Sequence, residues 1–177
     1  MRTVLLPDDT LLGLLALKAR HGYELIECFR QPEQLGRVWT LSTSQLYAVL
    51  KRLEHSNLIV GHDMINDQAP TRIVYTLTDA GQTRLHIWLH DPAPSPSIRS
   101  TRVEFLSRLF IARHLNIPTQ TLIAYQRQAC VQALAVFIDQ RGNAVPGMDV
   151  LALDFQIAQM HAVIDWIDRA ELIRRDK

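Results

Sequence analysis

The chain has 177 residues, 47% of them hydrophobic and 21% charged, with a formal net charge of +1. This composition is typical of a globular protein and excludes an intrinsically disordered chain, and no apolar run reaches the roughly 20 residues that a membrane-spanning helix needs. Because the net charge is close to zero, any nucleic-acid binding must come from the local placement of charged residues.

The cysteine and histidine residues suggest no cofactor or metal site. Cys28 and Cys130 fit no metal-ligand spacing, and two isolated cysteines suit a reducing, cytoplasmic environment better than a disulfide framework. His86 and His90 are four residues apart on a predicted helix and could face one metal ion, but no further ligands are identifiable. Residues 1–10 lack a long apolar run before a cleavage site, so we expect no secretory signal.

A proline-rich segment divides the chain. Residues 91–97 read Asp-Pro-Ala-Pro-Ser-Pro-Ser, and prolines at alternate positions prevent a continuous helix and favour an extended connection. We therefore predict three parts: a domain over residues 1–90, a linker over residues 91–99 and a second domain over residues 100–177. Acidic and basic residues are equal in number in the first part.

Three helices are predicted before the first strand. Asp8 or Asp9 can cap a helix that runs to Leu17, and a second helix is expected from Tyr23 to Arg30. The third follows Ser42 and runs from Thr43 to His55, because its apolar residues recur at helical spacing on one face. These apolar residues are Leu46, Val49, Leu50 and Leu53.

A two-stranded ribbon is predicted next. Leu58-Ile59-Val60 and the β-branched, aromatic run Arg72–Leu77 read as strands, joined by a polar loop with a turn at Asn66–Pro70. Asn57 before the ribbon tolerates the left-handed conformation, and Thr78-Asp79 can cap a helix to about His90. Three helices followed by such a ribbon describe a winged helix, whose third helix enters the DNA major groove.

The second part is predicted to be entirely helical. Helices are expected over 100–114, 118–140 and 149–174, and the last carries an apolar stripe at alternating intervals of three and four residues. This spacing predicts a straight helix–helix seam, either within the chain or with a partner chain, and we favour the partner. The stripe, our candidate dimerisation surface, comprises Val150, Leu153, Ile157, Met160, Ile164 and Ile167.

The polar face of the third helix is the candidate DNA-reading surface. Hydroxyls, an amide and cations near a helix N-terminus suit phosphates and base edges. Gln45 is the best candidate base reader, because its amide can bond bidentately to adenine. The helix taken alone fits an ordinary solvated surface better, but Arg72 near the predicted wing tip shifts the balance towards DNA. The candidate DNA-binding residues are Ser42, Thr43, Ser44, Gln45, Tyr47, Lys51, Arg52 and Arg72.

Four sequence blocks in register resemble the PadR family of bacterial transcriptional regulators. They are Leu12–Leu15 with His21–Leu25, then Ser44–Glu54, Leu58–Val60 and Arg72–Gly81. The resemblance covers residues 11–90 closely, and it implies that Tyr47 and its neighbours lie against DNA, that Arg72 belongs to the wing, and that Tyr23 and Leu25 contribute to the core. The helical second half resembles the family's dimerisation region in character only.

The favoured interpretation is therefore a mainly α protein with a small β hairpin: an N-terminal winged helix-turn-helix plus a C-terminal helical dimerisation region. The resemblance implies a homodimer that binds double-stranded DNA at a palindromic operator, with repression the expected sign of regulation. Family members often respond to small hydrophobic or phenolic molecules, so such an effector is a further candidate partner. The alternative is a winged-helix adaptor that binds protein and not DNA. No catalytic constellation is present, so we expect no enzyme.

Overall fold

The computed structural model describes residues 5–66 and 69–172, and these form helices and one small antiparallel sheet. The predicted fold class, mainly helical with a small β element in a winged-helix order, is confirmed. The described residues divide into two compact units. The first comprises Met1–His90 with Leu106–Ile117, and the second comprises Asp91–Phe105 with Pro118–Lys177, within the described ranges.

The first unit begins with a helix, a very short strand and two further helices. Helix α1 spans Asp8–Leu17, strand β1 spans Arg20–His21, helix α2 spans Gly22–Cys28 and helix α3 spans Thr43–His55. The predicted cap of α1 is wrong by one position: Asp8 and Asp9 both lie in its first turn, and Pro7 precedes it without a side-chain cap.

The sheet has three strands in the order β1-β3-β2, where β2 is Ile59–Asn66 and β3 is Ala69–Leu77. Both strands of the ribbon are longer than predicted, because pairing extends past the apolar run to Asn66 opposite Ala69. Strand β1 was not predicted, and it pairs Arg20 with Tyr75 on the other edge of β3. Asp67 and Gln68 of the predicted turn lie outside the described residues.

Helix α4, Asp79–Leu89, follows the ribbon and is capped by Thr78, whose hydroxyl accepts a hydrogen bond from the Gly81 amide at 3.1 Å. Gly81 is required by close packing, since a Cβ at this position would lie 2.0 Å from the Leu58 carbonyl oxygen. Asn57 has φ of 55°, as predicted for the residue that ends α3. The leucine-rich α1 and the apolar face of α3 each supply four buried residues to the core of this unit.

The remaining helices are α5 (Ile98–Ser100), a π-helical turn (Thr101–Phe105), α6 (Leu106–His114), α7 (Gln120–Gly142) and α8 (Met148–Leu172). Helix α6 belongs to the first unit and packs on α1, where Ile111 takes the space left by Gly13. Helices α7 and α8 form an antiparallel hairpin in the second unit. Residues 173–174, predicted to continue the last helix, lie outside the described residues.

Candidate nucleic-acid interface

Helix α3 has one buried face and one exposed face. Its four predicted apolar residues are all buried, which fixes the rotation of the helix against the core. The candidate DNA-binding side chains of α3 and its N-cap are all exposed: Ser42, Thr43, Ser44, Gln45, Tyr47, Lys51 and Arg52. The sequence therefore predicted correctly which side of α3 faces solvent.

The N-terminus of α3 is held by a capping box between Ser42 and Gln45. The Ser42 hydroxyl accepts a hydrogen bond from the Gln45 amide at 3.2 Å, and the Ser42 amide donates to Gln45 Oε1 at 2.9 Å. The side-chain oxygen of Gln45 is therefore engaged in the cap. Bidentate reading of adenine needs that oxygen as well as the amide nitrogen, so it requires Gln45 to leave this rotamer.

The other hydroxyls of this turn also have partners within the chain. The Ser44 and Ser42 hydroxyls are 3.0 Å apart, and Thr43 Oγ1 accepts a hydrogen bond from Arg30 Nη2 at 3.3 Å. Arg30 itself pairs with Glu27 at 2.8 Å. The turn thus presents a local polar network, to which Arg30 adds a cation that the sequence analysis did not single out.

Arg52, unlike the other candidate residues of α3, forms an ion pair with a buried carboxylate. Its guanidinium is paired with Asp8, whose carboxylate is buried in the first turn of α1. The hydrogen bonds from Arg52 to Asp8 raise the pKa of Arg52 and outweigh the opposing effect of partial burial. Contact with a DNA phosphate would have to compete with this pair, so a DNA role for Arg52 stays a prediction.

A cleft of about 790 Å³ brings together residues from α2, α3 and β3. Tyr47 of α3 and Arg72 of β3 both line it, although they are separated by 25 positions in sequence. Tyr23 of α2 lines it too and is 64% exposed, which corrects its expected place in the core; Leu25 is fully buried as expected. The residues lining the cleft are His21, Gly22, Tyr23, Glu24, Tyr47, Arg72, Ile73 and Tyr75.

A hydrogen-bond network around His21 and Glu24 holds the α2 side of the cleft. His21 Nδ1 accepts from the Glu24 amide at 3.3 Å, and Glu24 Oε2 accepts from the His21 amide at 3.2 Å, so both residues cap α2. Burial alone would raise the pKa of Glu24, but the hydrogen bonds from the His21 amide and Lys18 lower it. The cleft therefore carries one carboxylate beside its arginine, and His21 and Glu24 together cap α2.

The predicted dimerisation stripe lies mainly against its own chain. Leu153, Met160, Ile164 and Ile167 are buried in the second unit, and Val150 and Ile157 are half-buried. Helix α8 also carries apolar side chains outside the stripe, and among these Leu151 and Phe155 are 61% and 63% exposed. The seam is thus occupied within the chain, and the assignment of the six stripe residues to a partner interface stays a prediction.

Both cysteines are buried, and two of the histidines contact each other. Burial raises the pKa of both Cys28 and Cys130, which disfavours the reactive thiolate. His86 and His90 stack with ring centroids 4.2 Å apart. Within residues 5–66 and 69–172, no group of three or more histidine, cysteine or acidic side chains could hold a metal, and no helix there is long and apolar enough to cross a bilayer.

Comparison with known proteins identifies relatives of the first unit. Residues 11–87 match the Transcriptional regulator PadR-like family. The chain is 37% identical over 108 residues to the Negative transcriptional regulator PadR of Bacillus subtilis (strain 168), which covers 60% of this chain and 56% of that protein. It is 25% identical over an alignment of 189 positions to the Probable transcriptional regulator Rv1176c of Mycobacterium tuberculosis. That alignment covers 97% of this chain and 98% of that protein. The first match thus spans little more than half of that relative.

Several solved structures align over most of the chain, and one of them is a complex with DNA. It is the crystal structure of Bacillus subtilis PadR in complex with operator DNA, 24% identical, with a TM-score of 0.45. The alignment covers 94% of this chain and 96% of that one.

Proposed function

The chain carries a PadR-like regulator domain over residues 11–87, and on this premise we propose that it is a sequence-specific DNA-binding transcriptional regulator. In this proposal α3 enters the major groove and the β2–β3 ribbon acts as the wing on the flanking backbone. The predicted resemblance to the family is confirmed by the match, and the DNA-binding mechanism is what we infer from it.

The shared cleft is the observation that carries the proposal. A phenol from the middle of α3 and a guanidinium from the ribbon line one surface, so a DNA backbone lying along α3 can meet Tyr47 and Arg72 together. Both side chains are exposed, and a phenol and a guanidinium are common phosphate ligands.

Different residues serve positioning and reading in this proposal. Lys51, Arg72 and the hydroxyls of Ser42, Thr43 and Ser44 contact phosphates, which fixes register without reading sequence. Gln45 reads a base edge, either through its amide nitrogen with the cap intact or bidentately after leaving it. Arg52 contributes by holding α3 through Asp8, and it contacts phosphate only where that pair opens.

We further infer a homodimer on a palindromic operator that acts as a repressor. Two reading helices then enter successive major grooves about 34–36 Å apart. Helix α8 is the proposed dimer element, with half-buried Val150 and Ile157 and exposed Leu151 and Phe155 available to a second copy. The name of the 37% identical relative, a negative transcriptional regulator, supports repression as the sign of regulation.

A small hydrophobic or phenolic effector completes the proposal. A cleft of about 490 Å³ in the first unit, with both apolar and polar lining residues, has the size of a small-ligand site. Leu15, Leu85, Leu89 and Ile117 line it, with Gln82 and His86 as polar groups. Thermal unfolding with simple phenolic acids tests this part: we expect a raised Tm and weaker DNA binding. No change with any phenol tested would remove the effector from the account.

The alternative function is a protein–protein adaptor, which the balanced charge of residues 1–90 favours. Selection of genomic DNA fragments on the immobilised full chain separates the two functions. The regulator should enrich a few fragments, including DNA upstream of its own gene, against excess random DNA. Recovery of fragments at random would contradict DNA reading and leave the adaptor as the better account.

A further inference from the structure

Gly22 and Tyr47 are packed so closely that any side chain at position 22 would displace the Tyr47 ring. A Cβ on Gly22 would lie 2.7 Å from Tyr47 Oη and 2.8 Å from its Cε1 and Cζ. These distances are well inside the van der Waals contact of two carbon atoms, near 3.5 Å. The end of the Tyr47 ring therefore rests directly on the backbone at the start of α2.

Backbone conformation does not explain this glycine. Gly147 is the one described glycine with positive φ, so Gly22 has a backbone that any residue can adopt. Gly22 is also buried, which excludes a simple solvent-exposed turn position. What the position requires is the absence of a side chain, and the atoms that fill the space belong to Tyr47.

We propose that Gly22 is a positioning residue that sets the direction of the Tyr47 phenol for DNA contact. The stem of Tyr47 is fixed by α3, whose rotation is set by its buried apolar face. The far end of the ring is fixed by Gly22, and together they hold the phenol in the cleft that Arg72 also lines. This inference rests on the proposed DNA-binding function, because it assigns geometry within that site.

The positioning role and a purely structural role predict different effects of a side chain at position 22. Tyr47 is 48% exposed, so its ring can swing into solvent at little cost in packing. A methyl group at position 22 should then displace the phenol and leave the core intact. The substitution is expected to act on DNA affinity far more than on stability, whereas a structural contact would act on stability first.

A double-mutant cycle tests the inference. We expect Gly22→Ala to weaken binding to a selected DNA fragment about tenfold, which is at the low end of the effect of losing one DNA contact. Tyr47→Ala should weaken it at least as much. The double variant should bind no more weakly than Tyr47→Ala alone, because removing the ring removes the clash. Gly142→Ala is the matched control, since a Cβ there meets nothing within 4 Å.

The outcomes separate this inference from the function on which it rests. Wild-type protein that selects no DNA overturns the proposed function and this inference with it. Selective wild-type binding with undiminished affinity in Gly22→Ala overturns the inference alone, and so does an additive loss in the double variant. Should Gly22→Ala unfold the protein, the contact acts on stability first and the inference is overturned, whether or not the double variant recovers folding.

Discussion

The guanidinium of Arg52 donates two hydrogen bonds to the carboxylate of Asp8, from Nε to Oδ1 at 2.9 Å and from Nη2 to Oδ2 at 2.6 Å. The two residues are 44 positions apart, and their pair joins the start of α1 to the last turn of α3. A bidentate pair of hydrogen bonds fixes the orientation of the guanidinium relative to the carboxylate as well as the distance between them. The proposed reading helix is therefore held by its apolar face and by an ion pair at its C-terminal end.

Asp8→Asn and Arg52→Lys are predicted to destabilise the protein by similar amounts. Each removes one part of the bidentate pair, and we expect a loss of about 1 kcal/mol, at the low end because Arg52 is partly exposed. Thermal unfolding should show this as a fall in Tm of roughly 2–4 °C. A Tm unchanged in both variants, with a large loss of DNA affinity in Arg52→Lys, would instead make Arg52 a DNA ligand.

Gln45→Glu should separate capping from base reading. Glutamate at this position keeps the capping box with Ser42, because its carboxylate accepts the same amide hydrogen bond. It has no amide donor, so we expect an unchanged Tm and a loss of preference at one base pair of about 1–3 kcal/mol. Gln45→Ala is the companion variant, which loses both functions and should also lower Tm. Unaltered sequence preference in Gln45→Glu would remove this residue from readout.

Arg72→Ala is predicted to weaken binding to all DNA sequences alike. A wing arginine that neutralises one phosphate should reduce the slope of log affinity against log salt by about 1 without changing base preference. Arg141→Ala is a suitable control, because it also removes one exposed arginine but lies in the second unit, where its partner is Asp154. An unaltered salt dependence of affinity in Arg72→Ala would show that Arg72 of the wing does not contact a DNA phosphate.

The Arg127–Asp168 pair predicts a pH dependence of stability. The hydrogen bonds from Arg127, at 2.6 and 3.1 Å, lower the pKa of Asp168 below its ordinary value. A lowered folded-state pKa adds stability above the unfolded-state pKa, and this stability is lost as pH falls through the folded one. Wild type should therefore be more stable than Asp168→Asn by less than about 1 kcal/mol near pH 7. This difference in stability should be lost as pH falls through the lowered folded-state pKa of Asp168.

Denaturant titrations at several pH values measure this difference directly. Asp154→Asn gives the effect of the same charge change at the other α7–α8 ion pair. A difference between wild type and Asp168→Asn that persists at pH 2 would show that Asp168 acts through something other than its charge.

Local sequence patterns predicted much of the fold, but they did not predict contacts between residues that are distant in sequence. The spacing of Leu46, Val49, Leu50 and Leu53 predicted both α3 and its buried face. Strand β1 has only two residues, too few to show the alternation that identifies a strand. Its existence depends on Tyr75, 55 positions after Arg20.

The sequence predicted which side chains of the candidate site are exposed, but it did not predict which residues they contact. Sequence placed Tyr47 and Lys51 on the exposed face of α3, and both are there. The sequence could not reveal that Arg52 forms an ion pair with Asp8. The residues near Arg52 in α3 do not indicate which residue of α1 will lie beside it. The family resemblance implied a core position for Tyr23, yet Tyr23 is exposed and lines the cleft with Tyr47.

The most direct test of DNA reading by α3 is a competition measurement on the selected DNA fragment. Wild type and the Gln45→Ala, Lys51→Ala double variant are titrated against that fragment over a salt series with excess random DNA, and their oligomeric state and Tm are recorded. We predict that the double variant keeps its oligomeric state and binds the fragment no better than random DNA. Retention of wild-type affinity and selectivity in that variant would contradict the account and remove α3 from the mechanism.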